Sequence, residues 1–256
     1  MTAAVRVKIL GVGMGPAHVT SEVAAALRSI DYVVAAEKTQ DGDTDELLAA
    51  RQAILDEYAG DTAVQIVAVP DPKRDRSENL TTQRYQAAVN DWHRARAVEY
   101  GQVLADRGGT AGFLVWGDPS LYDSTIRIVE YVRDLGTDLE VEVLPGISAP
   151  QVLAARHAMV LHDVGEPIHL TTGRRLRQAV AAGQENIVSM LNPPPEQLDL
   201  TGIDDWTIWW GANLGATGER LVSGRLADVM PAVVEARRAA REDAGWVMDV
   251  FRVRKP

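Results

Sequence analysis

Short apolar runs, rich in β-branched residues, alternate with longer amphipathic stretches through the first 144 residues. This alternation constrains the fold most. Val5–Leu10, Tyr32–Ala36, Val64–Val69, Ala111–Trp116 and Leu139–Leu144 have the length and composition of buried strands. The stretches between them carry apolar residues at helical spacing, such as Leu47, Leu48, Ile54, Leu55 and Tyr58 in 45–58. Thr20 is placed to cap a helix reaching about Ile30, with Glu22 favourable in its first turn. Leu80–Asp106 reads as a long polar helix with one break, and Leu121–Leu135 as a helix that buries Ile126, Val129, Tyr131 and Val132. Strand, helix and strand in succession predict a mostly parallel sheet covered by helices.

After Pro145 the pattern changes. Ser148–His157 reads as a short helix and Asp228–Glu242 as a longer one. Strands are expected at Pro167–Thr172, Asn186–Leu191, Thr207–Asn213, Leu221–Leu226 and Trp246–Val253. The turn over 213–218 suits a hairpin, hence antiparallel pairing. Two α/β domains follow, 1–144 with a mostly parallel sheet and 145–256 with a mixed one.

Three strand ends carry the chemistry. The first is Gly11-Val12-Gly13-Met14-Gly15-Pro16, whose glycines permit a sharp turn and close approach to a ligand. Alone it suggests a dinucleotide loop, but its spacing is GxGxG and Pro16 sits where the helix should open. Glu37, the acidic residue such a loop requires, comes slightly late. The second is Trp116-Gly117-Asp118-Pro119-Ser120-Leu121-Tyr122, which puts a carboxylate beyond a strand's carboxyl end, where open sheets gather ligands. Asp118 also reads as the cap of a Pro-started helix. The third is Leu144-Pro145-Gly146-Ile147-Ser148, with Ser148 a plausible helix cap.

The net charge of −10 disfavours nucleic acid as a partner. With no cysteine, disulfides, thiolate catalysis and Cys-ligated metals are excluded, which fits a cytoplasmic protein. Charges within the first apolar run argue against a signal peptide, and no run approaches the roughly 20 residues of a membrane span. No metal site is expected.

The order of GxGxG near 11, GDP near 117 and PGIS near 146 resembles the tetrapyrrole methylases. Later segments agree: Thr171-Thr172-Gly173 with that family's TxG turn, Val188-Ser189-Met190 with its strand bearing a cofactor-facing Met, and 211–220 with its late glycine turn. The first loop is one residue shorter than the family's usual GxGxGxPxxxT. The stretch 69–76, the string Asp91-Trp92-His93-Arg94-Ala95-Arg96 and the string from Trp116 to Thr125 resemble the deacetylating, corrin-ring branch.

The resemblance implies S-adenosyl-L-methionine bound in a cleft between two α/β domains and released as S-adenosyl-L-homocysteine. Its shell, carried over by position, comprises Met14, Trp116, Gly117, Asp118, Leu121, Ser148, Ala149, Met190 and Leu214. The implied substrate is precorrin-5, methylated at C-1 with loss of the C-20 acetyl group. Asp118 and Tyr122 are the catalytic candidates, with His18 and His93 behind them. The substrate's carboxylates call for cations, and Arg74, Arg76, Arg94 and Arg174 are candidates, beside Lys73, Arg84 and Arg96. Relatives are commonly homodimers, and the cluster Trp206, Trp209 and Trp210 reads as a dimer surface or as core. A nucleotide-dependent oxidoreductase, another methylase of the same fold and a silent binding module remain the competing readings.

Overall fold

The computed structural model describes residues 4–37, 46–60, 64–73 and 82–256. The chain divides into two compact units after Ile147. The first contains β1 (Val5–Gly11), α1 (Ser21–Leu27), β2 (Tyr32–Glu37), α2 (Glu46–Tyr58), β3 (Gln65–Pro70), α3 (Thr82–Arg107), β4 (Thr110–Val115), α4 (Thr125–Asp134) and β5 (Leu139–Leu144). Its five strands lie in the order β3-β2-β4-β1-β5, and every pair is parallel.

Parallel strands need both faces covered, and β1 shows how the sequence achieves this. Val5, Val7 and Ile9 face one core with Ala97, Tyr100 and Leu104 of α3 and Ile128, Val129 and Val132 of α4. Leu10 and Val12 belong to the opposite core, with Val23 and Leu27 of α1 and Ile54 and Leu55 of α2. Each such side chain contributes about 1.5–3 kcal/mol by leaving water. Arg6 and Lys8 pair across the sheet with Glu140 and Glu142 of β5, which stand directly opposite them.

The second unit contains α5 (Ala149–Arg156), β6 (His169–Thr172), α6 (Leu176–Ala181), β7 (Asn186–Met190), β8 (Thr207–Ala212), β9 (Arg220–Arg225), α7 (Leu226–Ala244) and β10 (Asp249–Arg254). Its sheet has the order β6-β7-β10-β8-β9, parallel only between β6 and β7. Trp206 and Trp210 are core, packed with Phe251, Val253, Leu176 and Val233, so two of the three clustered tryptophans are not surface. The hairpin expected around 213–218 joins β8 to β9.

Several boundaries depart from the sequence reading. The helix expected from Leu121 begins at Thr125, because the preceding residues form a hydrogen-bonded loop. The strand expected from Trp246 begins at Asp249, because Asn213 accepts from and donates to the Met248 backbone, both at 2.9 Å. Helix α3 runs without the expected break. The helix expected from Asp228 begins at Leu226, directly at the end of β9.

Candidate active site

In the first unit the strand ends β4, β1 and β5 are neighbours, and the chain reverses direction there: β1 leads toward β2, whereas β4 leads across β1 to β5. Such a point is where open α/β sheets bind ligands. The three motifs meet at this edge. Val12 N–H donates to the Val115 carbonyl at 2.9 Å, and Gly13 and Gly117 exchange hydrogen bonds at 3.3 and 2.7 Å. A β-carbon on Gly146 would collide with the Gly117 carbonyl oxygen and lie 2.6 Å from that of Gly11. One on Gly11 would lie 2.8 Å from the Gly146 Cα. At Gly11 and Gly146 the close approach is therefore of loop to loop. Gly13, at φ +70°, is likewise closed off by His18, whose carbonyl oxygen would stand 2.8 Å from an added β-carbon. Met14 is buried beside it.

Asp118 ties this edge together. Its Oδ2 accepts from Gly146 N–H at 3.0 Å, and its Oδ1 accepts from Ser120 N–H at 2.8 Å and from the Ser120 hydroxyl. Burial pushes the carboxyl up, but the Ser120 hydroxyl, the Gly146 amide and the Ser120 amide outweigh it and hold Asp118 below the usual carboxylate range. It is thus an anion at neutral pH and a poor base. It does not cap a helix: Pro119 starts a loop, in which Leu121 N–H donates to the Asp118 carbonyl at 3.2 Å. Trp116 packs against the core shared with α1 and α2. Tyr122 is 41% exposed and holds φ +54°, a left-handed conformation unusual for a bulky residue.

In the second unit Met190 ends β7 and Leu214 follows β8. Because β10 runs antiparallel to both, these ends lie at one edge of the sheet. Met190 is half-buried; Leu214, Ser148 and Ala149 are buried. Ser148 caps α5 in extended conformation, and Gln151 Oε1 accepts its N–H at 3.1 Å. Leu191, next to Met190, is 64% exposed at φ +51°. Asn192 turns the chain back, accepting from Ser189 Oγ at 2.7 Å and donating to the Asp249 carbonyl at 3.3 Å. The Asp249 carboxylate accepts from Trp210 Nε1 and Arg237 Nε, each at 3.2 Å. Burial pushes Asp249 up against the opposing pull of Arg237. This network was missed in the sequence, where Asp249 is one charged residue of a strand that also carries Arg252 and Arg254. The late glycine turn is pinned by Glu219, which accepts from Gly215 N–H at 2.6 Å and Arg156 Nε at 2.8 Å.

Of the proposed substrate cations, Arg74 and Arg76 lie outside the described residues. Arg94 is exposed on α3, its guanidinium 5.6 Å from the Tyr131 ring centre. Arg96 is half-buried and engaged by Asp71 at 2.8 Å, so its role is structural. Arg174 is exposed just after β6, and Lys73 is exposed after β3.

The sequence model of the family described as tetrapyrrole (corrin/porphyrin) methylases matches residues 6–230. The chain belongs to the tetrapyrrole methylase family. Among relatives of this tetrapyrrole methylase, the precorrin-6A synthase [deacetylating] of Sinorhizobium sp. is 37% identical, the match covering 98% of this chain and 95% of that one. The cobalamin synthesis related protein CobF of Corynebacterium diphtheriae is 34% identical with a TM-score of 0.78, covering 98% of this chain and 99% of its own. The uroporphyrin-III C-methyl transferase of Thermus thermophilus, solved with S-adenyl homocysteine, has a TM-score of 0.58 at 16% identity, over 96% of this chain and 91% of its own. These findings set aside the dinucleotide reading of the first loop, and the geometry says why it misfits. Pro16 opens a single 3-10 turn with Gly15 as its cap, and α1 begins only at Ser21, so no α-helix N-terminus opens on the glycines.

Proposed function

We propose that this tetrapyrrole methylase is a precorrin-6A synthase of the deacetylating kind. It would methylate C-1 of precorrin-5 and release the C-20 acetyl group as acetate. The observation that carries this reading is the 37% identity to the Sinorhizobium enzyme over nearly the whole of both chains. The strings Asp91–Arg96 and Trp116–Thr125, which resemble the same branch, support it.

The residues present suit S-adenosylmethionine. Asp118 is held anionic, and its three described donors leave acceptor capacity on the carboxylate for a cationic group. Met14, Trp116, Gly117, Leu121, Ser148, Ala149, Met190 and Leu214 are proposed to complete its shell, with the buried ones offering mainly backbone groups. When bound, the cofactor supplies a methyl group already activated by its sulfonium. The protein's contribution to methylation is then placement, since orientation alone removes much of such a barrier.

Deacetylation needs more. Water adds to the acetyl carbonyl carbon and gives up its protons to solvent, the bond to C-20 breaks with its electron pair returned to the macrocycle, and acetate leaves. Asp118, committed to Ser120 and Gly146, organises the loop and does not take the proton. Tyr122 is proposed to donate a hydrogen bond to the acetyl carbonyl. Arg94 and Arg174 are proposed for the substrate's carboxylates, together with Arg74 and Arg76. A homodimer located in the cytoplasm completes the proposal. Among the described residues no helix is long and apolar enough to cross a membrane.

Calorimetric titration with S-adenosylhomocysteine, with NADH as control, tests the first step. One-site binding of the former and none of the latter is expected. Precorrin-5 supplied with S-adenosylmethionine should then yield one acetate per methyl transferred. Methylation without acetate release would refute the deacetylating assignment while keeping the family.

A further inference from the structure

The strings 91–96 and 116–125 stand apart in the sequence, but the structure joins them. His93 of α3 is 1% exposed, and its Nε2 is hydrogen-bonded at 2.9 Å to Ser124 Oγ, the residue that precedes α4. Its neighbour Trp92 donates Nε1–H to Asp71 Oδ1 at 3.0 Å, and Arg96 both pairs with that carboxylate and lies 4.1 Å over the Trp92 ring. Asp71 follows β3, so this cluster fixes α3 against the strand end. From that base, His93 reaches the far end of the loop that holds Tyr122.

Both flanks of Tyr122 are thus pinned. On one side Asp118 binds Ser120 and Gly146; on the other Asp123 Oδ1 accepts from Thr125 N–H at 2.6 Å, and His93 holds Ser124. A bulky residue stays left-handed only where its surroundings over-determine it, and such residues cluster at functional sites. Asp118 alone fixes only the first half of the loop.

We propose that His93 is a positioning residue: through Ser124 it holds Tyr122 in its left-handed conformation, so that the string 91–96 in α3 sets the geometry of the deacetylating group. This rests on the role proposed above for Tyr122. The hydrogen bond is made by Nε2, so a glutamine amide nitrogen can replace it and an alanine cannot.

The test compares His93→Ala, His93→Gln, Ser124→Ala and the His93→Ala/Ser124→Ala pair with the wild type. The first readout uses no substrate: the amide resonance of Tyr122 in protein labelled with ¹⁵N-tyrosine. It should move in His93→Ala and in Ser124→Ala and stay close to the wild-type position in His93→Gln. The second readout is acetate release from precorrin-5. The alanine variants should lose about 10- to 100-fold in kcat, the range that misplacement of a reacting group produces. The affinity for S-adenosylhomocysteine should remain unchanged. The double variant should be no slower than either single one, as coupled partners require. An unmoved Tyr122 resonance in both alanine variants would overturn the inference whatever the substrate proves to be. So would multiplicative losses in the double variant, or a glutamine variant as slow as the alanine one. A wild-type protein that binds no S-adenosylhomocysteine would overturn the proposed function instead, and the resonance would still decide the role of His93.

Discussion

Gly146 shows how little room the three motifs leave one another. Its missing side chain is the space in which the carbonyls of Gly117 and Gly11 sit. Gly146→Ala must push backbone against backbone, which has no flexible end to yield. A loss of about 1–3 kcal/mol is expected, as for overpacking elsewhere, seen as a lower denaturation midpoint. An unchanged midpoint would mean that the loops separate freely. Cofactor affinity should fall with it, because Gly146 N–H is one of the donors that orient Asp118. Sequence revealed that these glycines mark strand ends. It did not reveal that they face each other, since spacing along a chain carries no information on which loops a sheet order makes adjacent. The arginines show the converse limit. Arg94 and Arg96 look alike in sequence, yet Arg96 is engaged by Asp71 and Arg94 is exposed, a distinction that needs the partner's position.

At the scale of elements, periodicity located the strands of the first unit well, because buried parallel strands read as continuous apolar runs. It placed the start of α4 too early. Leu121 and Tyr122 look like a first helical turn, but the Asp118 carboxylate captures the Ser120 amide and hydroxyl and makes a loop instead. Helix α3 carries an opposite surprise. It continues through Gly101, a residue that weakens a helix by loosening the unfolded backbone. A β-carbon there would meet Val132 Cγ1 at 3.4 Å, an ordinary contact with α4. Gly101→Ala is therefore expected to stabilise the protein by about 0.5–1 kcal/mol, read as a raised melting temperature. A fall would show that α3 and α4 are packed too closely to admit a methyl group.

Over the whole molecule, stability rests on separate cores: two flank the parallel sheet of the first unit and one lies in the mixed sheet of the second. The sequence indicated both sheets, because the hairpin turn at 213–218 signals antiparallel pairing. It gave no sign of the charge that the second unit buries. The Asp249 side chain is 4% exposed and that of Arg237 16%, and they meet at the sheet edge where Met190 and Leu214 lie. Burial raises the Asp249 pKa, and the Arg237 charge opposes the rise. A carboxyl raised in the fold favours folding fully below its unfolded value, and that contribution is lost as pH climbs through the folded value. Arg237→Met removes the opposing charge and raises the folded value further. At neutral pH the buried carboxyl must then either stay an anion without its cation or take up a proton, and about 3–5 kcal/mol of destabilisation is expected. As pH falls through the raised value, protonation discharges Asp249 and the gap to the wild type should narrow. Tryptophan fluorescence suits the measurement, since Trp206, Trp209, Trp210 and Trp246 all belong to the second unit and Trp210 donates to Asp249 itself. A gap that stays constant between neutral and acid pH would show that Arg237 acts by packing its hydrocarbon stem and not by its charge.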